Sequence, residues 1–274
     1  SNTITVSGIN AASTISISGN SGKYQINSGT WRSSSSTGND GDLVTVKLGL
    51  FSDELEGRRI TGRMVHGAII RTYAQSDVEE FAEYSGIPTI NALTDDEHPC
   101  QILTDIFTFQ ELRGPIRGKV VTFVGDGACN APLSWVHAAA ALDFELRIAA
   151  PSEFQPSAET LAKAGGNISC TEDIRAAVKG ADMVYTDVWV SMGMEAEAEE
   201  RLAKLAGYQI NGGLMCLAKP DALVMHCLPA YRGKEIDAET FEAHADTIFT
   251  QAENEKNTAS ENSALEKNGY SDFQ

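Results

Sequence analysis

Three short apolar runs constrain this chain more than any other feature. Met183-Val184-Tyr185 leads into Asp187, Ser191, Met192 and Gly193. Ala222-Leu223-Val224-Met225 leads into His226-Cys227-Leu228-Pro229. Residues 119–124 lead into Gly125-Asp126-Gly127 and Asn130. The runs have strand length, favour β-formers, and end in polar loops marked by Gly or Pro. Buried parallel strands take that form, and open α/β sheets bind ligands at the carboxyl ends of their strands. A shared rim holding a small polar ligand is therefore expected.

The surrounding pattern extends this. Strands are expected at 119–125, 144–150, 167–171, 183–188, 223–227 and 247–250. Helices are expected at about 131–142, 157–164, 172–179, 195–206 and 237–244. Such alternation predicts a doubly wound parallel sheet over 114–251. Upstream, residues 51–113 read as a second, partial α/β domain. Leu55, Ile60 and Met64, with Arg58, Arg59 and Arg63, suit an amphipathic helix. Residues 67–72 and 88–92 read as short strands. Ser76-Asp77-Val78-Glu79 reads as a capping box opening a helix through Tyr84. His98-Pro99-Cys100-Gln101 opens a helix to about Glu111, with proline in its first turn.

Residues 1–50 differ in composition. They are rich in Ser, Gly, Thr and Asn and contain no Cys, His or Pro. Ile4 and Val6, Ile15 and Ile17, and Val44, Val46 and Leu48 alternate with period two. Gly19-Asn20, Ser28-Gly29 and Asn39-Asp40-Gly41 supply turns. A short β-rich segment fits better than a low-complexity linker. Residues 252–274 form a polar tail, expected to be disordered or a frayed helix.

Composition excludes some functions. A net charge of −17 with no basic stripe argues against nucleic acid and anionic membrane as partners. No apolar run reaches membrane-spanning length. None of the five cysteines has C-x-x-C spacing, so thiols in a reducing, cytoplasmic setting are expected and a zinc site is not. The chain opens at Ser1 with neither methionine nor a signal-peptide pattern, as expected of a processed or trimmed product.

Several residues carry candidate chemistry. Arg71, closing an apolar strand, can hold an anion through paired hydrogen bonds or serve as a surface ion pair. His98 and Gln101 share a helix face near its amino end and can donate to a carbonyl or phosphate oxygen, or simply cap the turn. Gly125-Asp126-Gly127 invites a dinucleotide reading, but the fingerprint's third glycine is replaced by Asn130, whose amide suits a polar ligand. Asp187 and Ser191 can bind an amino group and a carboxylate, with Met192 bounding an aliphatic stem; Trp189 reads as core. Cys227 has no evident catalytic partner for covalent chemistry. His226 reads as structural, and His66 and His244 have no supporting context.

Taken in order, Ile70-Arg71-Thr72, His98-Pro99-Cys100-Gln101, Val124-Gly125-Asp126-Gly127 with Asn130, the Asp187 to Gly193 block, His226-Cys227-Leu228-Pro229 and Gln251-Ala252-Glu253-Asn254 resemble the ornithine members of the aspartate/ornithine carbamoyltransferase family. The resemblance runs from about Ser52 to Asn254. It implies transfer of a carbamoyl group from carbamoyl phosphate to the side-chain amine of ornithine, giving citrulline and phosphate, in a homotrimer without metal or organic cofactor. By the same resemblance Arg71 holds carbamoyl phosphate, and His98 and Gln101 polarise and orient the carbamoyl group. Asn130, Asp187, Ser191 and Met192 bind the amino-acid end of ornithine, and Cys227 and Leu228 sit beside the reacting amine. Three departures stand out. The family's Ser-Thr-Arg-Thr phosphate motif is not found, Glu255 stands where the family has arginine, and a polar tail replaces an apolar helix. Weakened phosphate binding is the expectation. The alternatives are a non-enzymatic amino-acid-binding or interaction module and, more remotely, a nucleotide-dependent oxidoreductase.

Overall fold

The computed structural model describes residues 3–6, 13–15, 23–26, 36–38, 44–47, 66–190 and 194–265. The helix expected near residues 55–64, the turns within 1–50 and the end of the tail lie outside these residues. The chain divides into two units, the first residues 1–100 with 258–274 and the second residues 101–257.

The second unit is built on a five-stranded parallel sheet. Its strands are β8 (Val120–Val124), β9 (Glu145–Ala149), β10 (Asn167–Thr171), β11 (Met183–Thr186) and β12 (Leu223–His226), in the order β10-β9-β8-β11-β12. Period-two alternation explains why both faces are dry. Phe123, Tyr185 and Met225 pack into one cluster with Ile102, Ile106, Phe109 and Trp135. Val124, Val184 and Val224 pack into another with Val178, Ile210, Ile236 and Phe241. Connecting helices include α3 (Asn130–Leu142), α4 (Ala158–Ala164), α5 (Ile174–Val178), α6 (Ala198–Leu205), α7 (Gly212–Met215) and α8 (Ala238–Ala243). Strand order runs outward in both directions from β8, so the β8–β11 boundary is the topological switch point, where such sheets open a crevice.

One expected strand is a helix. Residues 247–250 lie in α9 (Ala245–Leu265). Ile248 and Gln251, three apart, are both buried and lie on one face of this helix. A four-residue run such as Thr-Ile-Phe-Thr cannot separate helix from strand by periodicity. The tail is thus helical through Leu265.

In the first unit, β6 (Ala68–Arg71) pairs in parallel with β7 (Thr89–Leu93), connected by α1 (Gln75–Ser85). Val78 and Phe81 form the buried face of α1. Gly86, at φ 67°, ends it in the left-handed conformation that glycine adopts without penalty. The capping box is not formed. Ala74 is the N-cap and makes no side-chain bond, and Ser76 lies inside the helix. Asp77 instead accepts from Thr72 Oγ1 at 2.8 Å, and Gln75 accepts from Thr94 Oγ1 at 2.8 Å. These bonds to the strand ends take the place of the local cap.

Five strands form within the Ser/Gly-rich segment: β1 (Thr3–Val6), β2 (Ser13–Ile15), β3 (Lys23–Ile26), β4 (Ser36–Gly38) and β5 (Val44–Lys47). Strand β1 pairs antiparallel with both β5 and β6, giving a mixed sheet in the order β3-β5-β1-β6-β7. Helix α2 (Pro99–Arg113) opens with proline in its first turn, as expected.

Candidate functional site

In the second unit the candidate residues gather where β8, β11 and β12 end. Asp187 follows β11, Cys227 and Leu228 follow β12, and Asn130 opens α3 beyond the Gly125 turn. The donor atoms of Asp187, His226 and Cys227 lie within 4.8 Å of one another. Asp187 accepts the Val188 N–H at 2.6 Å. Burial pushes its carboxyl pKa up, against the pull of His226 and of hydrogen bonds from Cys227 and Val188. Burial and the Asp187 charge push the Cys227 thiol well up. Cys227 is therefore a protonated hydrogen-bond donor rather than a nucleophilic thiolate. Ser191 and Met192 lie outside the described residues.

His226 braces this edge. It is buried, its Nδ1 accepts the Leu228 N–H at 2.9 Å, and its Nε2 meets Glu235 Oε1 at 3.2 Å. Accepting at Nδ1 places the ring proton on Nε2. Glu235 Oε1 also accepts the Tyr231 N–H at 2.5 Å. Leu228 itself sits at φ 41°, a conformation uncommon for a residue other than glycine and tolerated where the surroundings hold it. With both ring nitrogens engaged, a cation drawn to the Asp187–His226–Cys227 group would have to displace one of these bonds.

The glycine turn after β8 serves the protein's own packing. A Cβ on Gly127 would stand 2.5 Å from Ile148 Cγ2 and 3.0 Å from the Phe154 carbonyl. The Trp189 indole covers Gly125. Asp126 is buried and paired with Arg201, whose Nε donates to the Trp189 carbonyl at 2.9 Å. The close backbone approach is thus made by protein atoms and not by a pyrophosphate, which removes the dinucleotide reading. Trp189 is core, as expected.

Gln101, in the first turn of α2, is buried. Its Nε2 donates to Asp105 Oδ1 at 2.9 Å. Gln251 Nε2 donates to the same oxygen at 2.6 Å, and Gln251 Oε1 accepts the His226 N–H at 2.9 Å. The sequence reading has Gln101 donating to substrate. In the structure one of its two N–H groups is committed to Asp105, which turns Oε1, an acceptor, away from Asp105. Asp105 and Arg201 were not identified from sequence. Asp105 stands four residues after Gln101 on one helix face, a spacing that pairs Gln with Asp. No local pattern announces Arg201.

In the first unit, Arg71 is exposed at the end of β6 and His98 is partly buried just before α2. Burial and the Arg71 charge lower the His98 pKa to about 4, against a backbone hydrogen bond at Ala92. At neutral pH His98 is an uncharged imidazole, and its one ring N–H meets the Ala92 backbone.

Comparison with known proteins agrees with these features. Residues 117–260 match the family model for the aspartate/ornithine carbamoyltransferase Asp/Orn binding domain, and residues 55–111 match that for the carbamoyl-P binding domain. The chain is 50% identical over 199 residues to an ornithine carbamoyltransferase of Methylococcus capsulatus, covering 73% of this chain and 66% of the relative. It is 48% identical over 196 residues to one of Nitrosococcus oceani, covering 72% and 64%. The matched stretch therefore spans just under two thirds of these curated relatives. The crystal structure of anabolic ornithine carbamoyltransferase from Campylobacter jejuni superposes with a TM-score of 0.74 at 37% identity, covering 81% of this chain and 76% of that one. The Pyrococcus furiosus enzyme superposes with a TM-score of 0.70 at 38% identity, covering 77% and 70%. With both family domains matched in order, and the carboxyl edge of the sheet carrying the residues the motifs supply, this chain belongs to the aspartate/ornithine carbamoyltransferase family.

Proposed function

We propose that this chain transfers the carbamoyl group of carbamoyl phosphate to the side-chain amine of ornithine, forming citrulline and releasing phosphate. The observation that carries the reading is the Asp187–Cys227 pair at the carboxyl edge of the parallel sheet. A buried carboxylate whose pKa is raised gains a matching cation when an ammonium group binds, which suits the amino-acid end of ornithine. Asn130, Ser191 and Met192 complete that recognition. The Cys227 thiol and the Leu228 backbone stand beside the reacting amine. Arg71 binds the phosphate of carbamoyl phosphate.

In the reaction the amine nitrogen attacks the carbamoyl carbon, the carbon–oxygen bond to phosphate breaks, and the amine proton leaves with the phosphate or to water. Charge grows on the carbamoyl oxygen. His98 polarises that oxygen by presenting to it the ring N–H that otherwise meets the Ala92 backbone, without a proton transfer of its own. Gln101 Oε1 accepts from the carbamoyl amino group. The free thiols of all five cysteines support a reducing compartment such as the cytoplasm. Among the described residues no helix is long and apolar enough to cross a membrane. The homotrimer implied by resemblance is part of this proposal and is checked by sedimentation.

The test is citrulline formation by the purified chain, with His98→Ala as control. Turnover that falls by about 10²-fold or more in the control supports the proposal, that being the usual effect of removing one charge-stabilising donor. A folded protein without turnover sinks it. One observation favours a second reading, binding without catalysis. Strand β1 of the Ser/Gly-rich segment lies beside β6, with Thr3 opposite Arg71, and the Ser-Thr-Arg-Thr motif is not in this sequence. Ornithine binding by calorimetry with no citrulline would establish that reading.

A further inference from the structure

We propose that Asp105 is a positioning residue for carbamoyl transfer: it fixes which face of the Gln101 amide meets the carbamoyl group and ties that amide, through Gln251, to the backbone of the His226-Cys227 edge. The inference rests on the transferase reading and goes beyond it in assigning a role to a residue that touches no substrate.

The geometry is a continuous polar line inside one unit. Asp105 Oδ1 receives two N–H groups, from Gln101 at 2.9 Å and Gln251 at 2.6 Å. Gln251 then accepts the His226 N–H at 2.9 Å. An amide whose NH₂ is held by a carboxylate cannot rotate its oxygen into the same place without setting two acceptors against each other. Asp105 thereby selects the Oε1-outward orientation of Gln101, which recognises an NH₂ group. It does so beside Cys227, whose thiol is pushed up in part by the Asp105 charge.

The chemistry of the site argues against a purely structural role. Asp105 Oδ2 and the Tyr185 hydroxyl are both buried, and the hydroxyl faces the carboxyl and helps to hold its pKa down. An asparagine could accept the same N–H groups without the cost of burying an ionisable group. A buried acid kept at such a position is the pattern of sites that give up stability for function. The groups facing Asp105 are Gln101 on its own helix, Tyr185 on β11, Gln251 and Glu255 on α9, and Cys227 after β12. Burial raises its pKa to about 7 against the hydrogen bonds, with Glu255 adding to the rise. The strength of its hold on Gln101 therefore changes across the neutral range, because a charged acceptor binds an N–H more tightly than a neutral one.

The experiment compares wild type with Asp105→Asn, which retains an acceptor oxygen and is the conservative variant, and with Asp105→Ala. The kcat ratio of wild type to Asp105→Asn is measured from pH 5 to 9, so that titrations common to both cancel. The ratio should rise from near one below pH 6 to roughly tenfold above pH 8, with Asp105→Ala slower still per folded molecule. A ratio that stays flat over this range overturns the proposal. The side-chain amide protons of Gln101, in protein labelled with ¹⁵N-glutamine and assigned through Gln101→Glu, give a readout independent of turnover. They should titrate in wild type and not in Asp105→Asn; signals that do not move with pH in wild type overturn the proposal as well. Wild type that makes no citrulline defeats the transferase reading, and the amide signals then decide by themselves whether Asp105 holds Gln101.

Discussion

Two ionisable residues make stability respond to pH in opposite directions. Asp105 has a folded pKa of about 7 against the ordinary 3.8. The folded state therefore holds a proton that the unfolded chain releases, and stability falls as pH rises from about 4 to about 7. His98 is depressed to about 4 from 6.5. Its contribution is present above pH 6.5 and is lost as pH falls toward 4. We expect Asp105→Asn to be more stable than wild type at pH 8, by an amount of order a few kcal/mol, and so to melt higher, with the gap closing at pH 4. Equal melting curves at both pH values would contradict the raised pKa. Asp187 calls for a different test. Its proposed role is to meet the ammonium group of ornithine, and burial holds its carboxyl pKa up against the pull of His226. Asp187→Asn should weaken ornithine binding about tenfold or more while leaving the melting temperature within a few degrees. Unchanged affinity by calorimetry would remove Asp187 from the ornithine site.

The elements that matter most at the next scale are the loop after β8 and the loop after β11, because they flank the switch point. Arg201 of α6 joins them, pairing with Asp126 in the first and donating to the Trp189 carbonyl in the second. The guanidinium also lies 4.9 Å from the Phe154 ring centre. Replacing Arg201 with methionine keeps some of the packing but leaves Asp126 buried without its partner. The expected loss is about 3–5 kcal/mol in urea unfolding. A loss below about 1 kcal/mol would mean that the pair is not what holds the two loops. Helix α9 shows how an element can be misread locally. Its first turns present Ile248 to the apolar cluster and Gln251 to Asp105, so one face is half apolar and half polar. A short run with such mixed burial carries neither a clean 3.6 nor a clean 2.0 period.

For the molecule as a whole, the large-scale organisation was legible in the sequence and many of the connections were not. Strands β8 to β12 were anticipated to within a residue or two, because each is a short run of β-favouring residues and alternation with helices leaves a parallel sheet as the natural arrangement. The residues of the candidate site were found through motifs read in order, and Asp187, Cys227 and Leu228 do meet at one edge. The direction in which Gln101 points was not legible. It depends on Asp105 and on Gln251, and the latter pair is 146 positions apart. Nor was the Asp126–Arg201 pair, which spans 75 positions. The physical reason is that local periodicity and turn chemistry report which face of an element is buried and where it stops. They carry no information about which distant polar group will be waiting there. The sequence by itself determined the elements, their alternation and the family chemistry available to them. The tertiary structure decided which donor answers which acceptor, and with it the protonation of His98, Asp105 and Cys227, because burial and distant partners set those pKa values.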